Sequence, residues 1–412
     1  MHVLFVHQNF PAQFGQIANH LVQKHGWQCT FASQHGGEVP GVGRVLYEPK
    51  SGARAETNFC SRTFENQVWH STALFDALRS RPDVKPDLIV GHSGMVSTLY
   101  LRELYDAPII NYFEFFYRTH DSDIDFRTDL PACDTPTLLR AQTRNAMLLL
   151  DLENCDAGYS PTQFQQSQLP QEFRTKVRTI FDGIDADFWK PMDQRVRRIG
   201  EIEIPKDHHV LTYVSRGMES MRGFDIFMRV ADRVCQKRSD VTVLVVGEDR
   251  IAYGGDARFT NGKTFKQWFL SKNEIDISRI HFVGRVRPTE LVNVFSVSDV
   301  HVYLTVPFTL SWSLFNAMSC GALAIGSDTA PVRELIDHGR NGFLVDFFDI
   351  DGWVDRVLAV LDDPVAFDPI RRAARQTILD SYTLPICLDK MLELYREVGV
   401  GIDDRLEVRE RP

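Results

Sequence analysis

Short, continuous apolar runs alternate along this chain with longer stretches of helical periodicity. That is the pattern of parallel strands buried on both faces and covered by helices. In the first half the runs fall at residues 3–6, 87–90 and 107–111, with helices expected over 14–24 and 95–104. The second half repeats the arrangement at 210–214, 241–246, 280–283, 300–304, 323–325 and 343–345. Two such units in succession predict an α/β architecture, two Rossmann-like domains facing each other across a cleft. The joint falls at Phe181-Asp182-Gly183-Ile184-Asp185, which Asp-Gly and the nearby Pro191 punctuate. The expected divisions are therefore 1–185, 186–380, and 381–412 as a C-terminal helix returning to the first domain, plus a solvated tail.

Size and charge narrow the classes. A chain of 412 residues exceeds what one core usually supports. Its apolar share of 43% and charged share of 25% are ordinary for globular proteins. The net charge of −9 argues against a nucleic-acid binder. The N-terminal run Met1-His2-Val3-Leu4-Phe5-Val6 lacks the basic start of a signal peptide, and no stretch approaches the roughly 20 apolar residues of a membrane span. The seven cysteines are scattered with no CxxC pair, which indicates reduced thiols in a cytoplasmic protein and no metal site.

In open α/β sheets ligands bind beyond the carboxyl ends of the strands, so the candidate chemistry lies at the strand exits. After residues 210–214 comes Ser215-Arg216-Gly217-Met218-Glu219-Ser220-Met221-Arg222-Gly223. Arg216 and Arg222 suit a pyrophosphate, because each guanidinium donates a fork of charged hydrogen bonds; a pair of surface arginines in ion pairs would look the same. The next exits are Gly247-Glu248, with Tyr253-Gly254-Gly255 downstream as a connector or a border of the site, and Gly284-Arg285-Val286, where a nucleobase fits against main-chain groups. The most informative stretch is Val306-Pro307-Phe308-Thr309-Leu310-Ser311-Trp312-Ser313-Leu314-Phe315-Asn316, which opens a helix. Unpaired N–H groups at a helix start favour an anion, and Ser311 and Ser313 can cap the helix or donate hydroxyls to a phosphate.

Taken together, residues 216–223, 243–248, 281–286, 307–321, 326–334 and 341–346 resemble a family-4 glycosyltransferase of the GT-B architecture, and 7–14, 91–94 and 112–117 look like a bacterial branch of it. The resemblance covers nearly the whole chain. It implies a metal-independent transfer that retains anomeric configuration, with a nucleotide diphosphate sugar as co-substrate (a UDP-sugar first, a GDP-sugar next) and no cofactor. The family's basic pair maps onto Arg216 and Arg222, its diphosphate-cradling turn onto Leu310, Ser311, Trp312 and Ser313, and its base-contacting exit onto Arg285 and Val286. Gly247 and Glu248 join them as donor-side candidates.

Two positions depart from the family pattern. A pair of glutamates spaced eight apart is replaced by Phe308 and Asn316. Phe308 offers a donor sugar no hydrogen bond, whereas Asn316 still donates and accepts toward a ribose without charge. In the first domain Glu114 and His92 are the candidate polar groups near the reacting centre, and His7, Asn9, Phe10 and Tyr117 are candidates for the acceptor side. The aromatic run 113–117 reads as a buried strand end, or as a contact for a lipid-linked acceptor or the inner face of a membrane. The expected reaction is hexosyl transfer to a saccharide or lipid-linked saccharide in bacterial surface polysaccharide or glycoconjugate synthesis. The alternative is a nucleotide-sugar-binding protein of the same fold whose activity has decayed. A dinucleotide dehydrogenase is disfavoured because the first strand lacks GxGxxG.

Overall fold

Apolar runs too short for helices and flanked by polar turns bury best as strands in the middle of a layered domain, and the computed structural model, which describes residues 1–401, places them there. The first unit comprises Met1–Ile124, Cys133–Asp182 and the described residues from Pro385. Its sheet contains β1 (His2–Val6), β2 (Gln28–Ser33), β3 (Val42–Leu46), β4 (Leu88–His92), β5 (Ile109–Tyr112), β6 (Ala157–Ser160) and β7 (Val177–Thr179). All neighbours are parallel, in the order β3-β2-β1-β4-β5-β6-β7. The covering helices include α1 (Gly15–His25), α2 (Arg62–Arg79), α3 (Thr135–Thr143), α4 (Ala146–Asn154) and α5 (Gln163–Ser167). One face of the sheet packs Leu4, Val6 and Ile89 against Leu74, Leu78, Leu148 and Leu152 of the helices.

The second unit comprises Asp125–Ala132 and Gly183–Leu384. A short antiparallel pair, β8 (Arg198–Ile199) and β9 (Ile202–Glu203), precedes its main sheet. That sheet contains β10 (His209–Gly217), β11 (Val241–Glu248), β12 (Ile280–Gly284), β13 (Val300–Tyr303), β14 (Ala324–Ser327) and β15 (Phe343–Val345). The order is β12-β11-β10-β13-β14-β15, again all parallel. Its helices are α6 (Phe224–Lys237), α7 (Phe265–Leu270), α8 (Pro288–Val297), α9 (Trp312–Ser319), α10 (Ala330–Arg333), α11 (Ile350–Asp362) and α12 (Asp368–Ser381). The last helix, α13 (Leu384–Glu397), belongs from Pro385 onward to the first unit, with Tyr395 fully buried there. No helix among the described residues is long and apolar enough to cross a membrane. The expected tail after Gly401 lies outside the described residues.

Two details differ from the pattern reading. Residues 95–104 form no α-helix; only Leu99–Glu103 coils, as a 3-10 turn. Tertiary bonds hold this stretch instead: the Ser97 hydroxyl donates to Asp151, and Thr98 Oγ1 exchanges hydrogen bonds with the Asn111 side chain at 3.0 and 3.1 Å. Residues 125–132, which the pattern leaves in the first domain, pack with the second unit. Arg127 anchors them, donating to both oxygens of the buried Asp225 (2.7 and 3.1 Å) and to the Ser220 carbonyl (2.6 Å), while its guanidinium lies over Phe347.

Asp151 is fully buried, accepting from Ser93 Oγ (2.6 Å) and Ser97, and burial pushes its pKa up to about 7 against the pull of those hydroxyls and of His92. A carboxyl whose folded pKa lies above its unfolded value stabilises the fold below the unfolded pKa and loses that contribution as pH rises through the folded one. The expected loss is up to about 1.4 kcal/mol per pH unit between roughly pH 4 and 7. Asp151→Asn, which still accepts from one serine and donates to the other, should flatten that slope in denaturant unfolding measured across this range.

Candidate functional site

In each main sheet the strand order reverses beside that sheet's first strand, between β1 and β4 and between β10 and β13. Loops leaving the carboxyl ends diverge at such a point and open a crevice. In the second unit the crevice holds a cavity of about 340 Å³, the size class of small-molecule sites. Its wall is made by Ser215, Arg216, Gly247, Glu248, Arg250, Arg285, Val286, Ser311 and Ser313, with Val214, Val246 and Leu291 as the apolar part. Gly247 makes this wall possible. Its φ is +142°, and a Cβ there would sit 2.0 Å from the Ser215 carbonyl oxygen, so only glycine lets the two exits approach.

Arg216 is exposed at the cavity rim and donates from Nη1 to the Tyr253 hydroxyl at 3.2 Å. Tyr253 is held in turn by the buried Glu219, whose Oε2 accepts from the N–H groups of Ala252, Tyr253 and Gly254 at 3.0, 2.9 and 2.8 Å. Burial pushes the Glu219 pKa up, opposed by those amides and by Arg222. None of residues 253–255 lines the cavity, and the loop meets the site through the Arg216–Tyr253 bond. Across the cavity, Ser311 caps α9, its hydroxyl accepting from the Ser313 N–H at 3.2 Å, and its own N–H donates to the Tyr303 hydroxyl at 2.8 Å. The Ser313 hydroxyl donates to Ser311 Oγ at 3.0 Å. Both serines therefore present oxygen atoms beside the first-turn amides of α9.

Several expected donor-side residues lie elsewhere. Arg222 does not line the cavity. It is buried, with Nη1 donating to Thr305 Oγ1 (2.8 Å), the Thr309 carbonyl (3.0 Å) and the Tyr303 hydroxyl (3.4 Å), and its guanidinium 5.5 Å from the ring centres of both Tyr253 and Phe308. It is the pillar under the turn between β13 and α9. Phe308 and Leu310 are buried within that turn, and neither they nor Trp312, 43% exposed, line the cavity. Asn316 is buried one turn into α9, its Oδ1 without a hydrogen-bond partner among the described residues. Tyr303, Thr305, Thr309 and Glu219 were missed in the sequence, since nothing local marks a residue that works by supporting another.

In the first unit, His92, Glu114 and Tyr117 line a second cavity of about 60 Å³. His92 Nε2 lies 3.7 Å from Glu114 Oε2. His7, buried, packs its ring edge-on to His92 at 4.8 Å but does not line the cavity. Burial, then the neighbouring His92, lowers its pKa to about 3, so His7 stays neutral. Its Nδ1 accepts from the Asn9 N–H at 2.8 Å. Phe10 packs edge-on against Phe31 at 4.9 Å, and neither Asn9 nor Phe10 reaches either cavity.

Truncating Arg222 takes the donor from two buried acceptors, Thr305 Oγ1 and the Thr309 carbonyl, while the Tyr303 hydroxyl keeps the Ser311 N–H. Arg222→Ala should therefore lower unfolding free energy by about 3 kcal/mol, read by urea denaturation, in contrast to the exposed Arg216→Ala, which should change it by less than about 0.5 kcal/mol.

Comparison with known proteins agrees with this architecture. Residues 25–189 match the family described as "Glycosyl transferase family 4 group" and residues 208–363 the family described as "Glycosyl transferases group 1". The D-inositol 3-phosphate glycosyltransferase of Corynebacterium jeikeium is 25% identical over 45% of this chain and 44% of its own length. The N-acetyl-alpha-D-glucosaminyl L-malate synthase of Bacillus anthracis is 23% identical over 54% of each. The chain thus spans about half the length of the curated relatives it matches. Among solved structures, sucrose-phosphate synthase from Thermosynechococcus elongatus shares the fold over 97% of this chain and 99% of its own, with a TM-score of 0.71 and 16% identity. HepE from Anabaena, solved with UDP-glucose, does so over 96% and 100%, with a TM-score of 0.67 and 13% identity. Both halves carry glycosyltransferase signatures in order on two parallel-sheet units, and the chain belongs to the family-4 glycosyltransferases of the GT-B fold.

Proposed function

We propose that this chain transfers a hexose-type sugar from a nucleotide diphosphate donor, a UDP-sugar first, to a saccharide or lipid-linked saccharide, without a metal and with retention at the anomeric carbon. The observation that carries the reading is the 340 Å³ cavity, where Arg216 and Arg285 face the capped start of α9 across the strand exits. The base would lie against Arg285 and Val286, and the diphosphate between Arg216 and the Ser311 to Ser313 turn. Asn316 does not line the cavity, so the ribose contact expected of it is not part of this reading. HepE, of the same fold, was solved with UDP and with UDP-glucose, which supports a uridine donor here.

As the bond to the sugar breaks, negative charge grows on the diphosphate. Fixed donors aimed at that charge stabilise it more in the transition state than in the ground state. Arg216 supplies a guanidinium and α9 its N–H groups, while Arg222 adds positive field from beneath and keeps the turn in place. The leaving phosphate itself can take the acceptor's proton, so the reaction requires no separate protein base. Phe308 gives the sugar no hydrogen bond, and sugar recognition falls to main-chain groups of the same turn. Synthesis of bacterial surface polysaccharide or glycoconjugate, at the inner face of the membrane, is the setting that fits such an acceptor.

Calorimetric titration with UDP, GDP, ADP and dTDP should show UDP binding tightest. Arg216→Ala should weaken it by about tenfold or more and cut transfer from a UDP-sugar by about a hundredfold or more, with the fold retained. A silent response to all four nucleotides would sink the donor assignment, and nucleotide binding without transfer or hydrolysis would favour a decayed, purely binding protein.

A further inference from the structure

Beside the first unit's small cavity lies a concentration of positive charge that the chain's overall balance of −9 does not suggest. Arg144 lines the cavity together with Tyr117, its guanidinium 3.7 Å from the tyrosine ring centre and bonded to the hydroxyl. Arg140 stands behind, donating from Nη2 at 3.3 Å to Oγ1 of Thr63, which also lines the cavity. Arg62 and Arg140 share the ring of Phe59, at 5.9 and 4.8 Å. None of the three arginines has a carboxylate partner among the described residues; Arg62 spends its donors on the Thr57 and Ala55 carbonyls. Burial, and then the charges of Arg144 and Arg62, pull the Arg140 pKa below its usual value, opposed by Cys60, and Glu114 is the carboxylate on the cavity wall.

Gln67 of α2 adds an independent sign of a ligand. It is 5% exposed and lines the same cavity, with Nε2 donating to the Gly94 carbonyl at 2.9 Å and Oε1 left with no partner among the described residues. A buried amide oxygen without a donor is costly unless something fills the space before it. The volume of about 60 Å³ is several times the ~10–15 Å³ that one water needs, room for a tetrahedral or planar anionic group and too little for a sugar ring.

Resting on the transferase reading above, we propose that this cavity receives an anionic group, a phosphate or a carboxylate, carried by the acceptor, with Arg144 as its direct contact and Arg140 as charge behind it. Arginine stacked on tyrosine presents its fork in a fixed plane, which suits both anions. His92 and Glu114 line the same cavity, so an acceptor anchored by its anion places its neighbouring hydroxyls beside them. Gln67 Oε1 takes a hydrogen bond from one such hydroxyl.

The test is calorimetric titration of the full chain held in saturating UDP, which fills the donor site and removes it as an anion receptor. Inorganic phosphate and malonate are titrated separately. One of the two should bind at one site per chain, and whichever binds tighter assigns the group. Arg144→Gln should weaken that anion by about tenfold or more, Arg144→Lys should restore part of the loss, and UDP affinity should stay within about twofold in both variants. Absence of binding by either anion, or an Arg144→Gln chain that titrates like the wild type, overturns the proposal. A chain that ignores UDP fails the donor reading instead, and the Arg144→Gln difference measured without UDP still decides this one.

Discussion

A parallel sheet covered on both faces leaves its polar groups a single outlet, the ends of its strands. β1 and β4 are buried along their whole length, as are Val210–Tyr213 of β10 and Val241–Gly247 of β11, so hydrogen-bonding chemistry gathers at the carboxyl edge, where loops and helix starts meet. Both cavities obey that constraint. The larger lies where β10, β11 and β12 end and α9 begins; the smaller takes residues from the ends of β4 and β5.

Side chains at such an edge need support, because loops alone do not hold charge in place. The second unit supplies it through buried ionic groups that never reach the cavity. Glu219 gathers three successive amides and thereby seats Tyr253 beside Arg216. Arg222 ties Thr305 and Thr309 beneath the turn that leads to α9. Asp225 fixes Arg127, and the Ser220 carbonyl that Arg127 also binds belongs to the same turn as Glu219 and Arg222. The arrangement is a short stack: buried charges order a loop, and the loop presents exposed charge to the crevice.

How much of this can be read in the residues follows from how local each signal is. Glycine and arginine directly after an apolar run mark a strand exit within a few positions, so Arg216, Gly247, Arg285 and the Ser311 and Ser313 pair stand out, and each lines the cavity. Arg222 looks equivalent to Arg216 in a linear reading. Its burial depends on Tyr303, Thr305 and Thr309, some eighty residues away, which no local pattern connects. The same holds for residues 95–104, where helical periodicity yields to tertiary bonds with Asp151 and Asn111. Gln67 sits inside α2 like any polar helix residue, and only its unsatisfied oxygen sets it apart. Phe10 illustrates the converse, an N-terminal motif residue whose ring is absorbed by packing on Phe31.

The division of the chain between the two units has a consequence for how the protein is made. The backbone passes from one unit to the other at 124/125, 132/133, 182/183 and 384/385, so neither unit is a continuous stretch. During synthesis from the N-terminus the first sheet can assemble early. Its core still lacks α13, which brings Leu388, Leu392 and Tyr395 into burial only after the whole second unit has left the ribosome. Residues 125–132, made early, meanwhile wait for Asp225. Each unit is completed by a piece of chain separated from it by the other, and cutting the gene at residue 183 would yield two fragments that each lack part of their own interior.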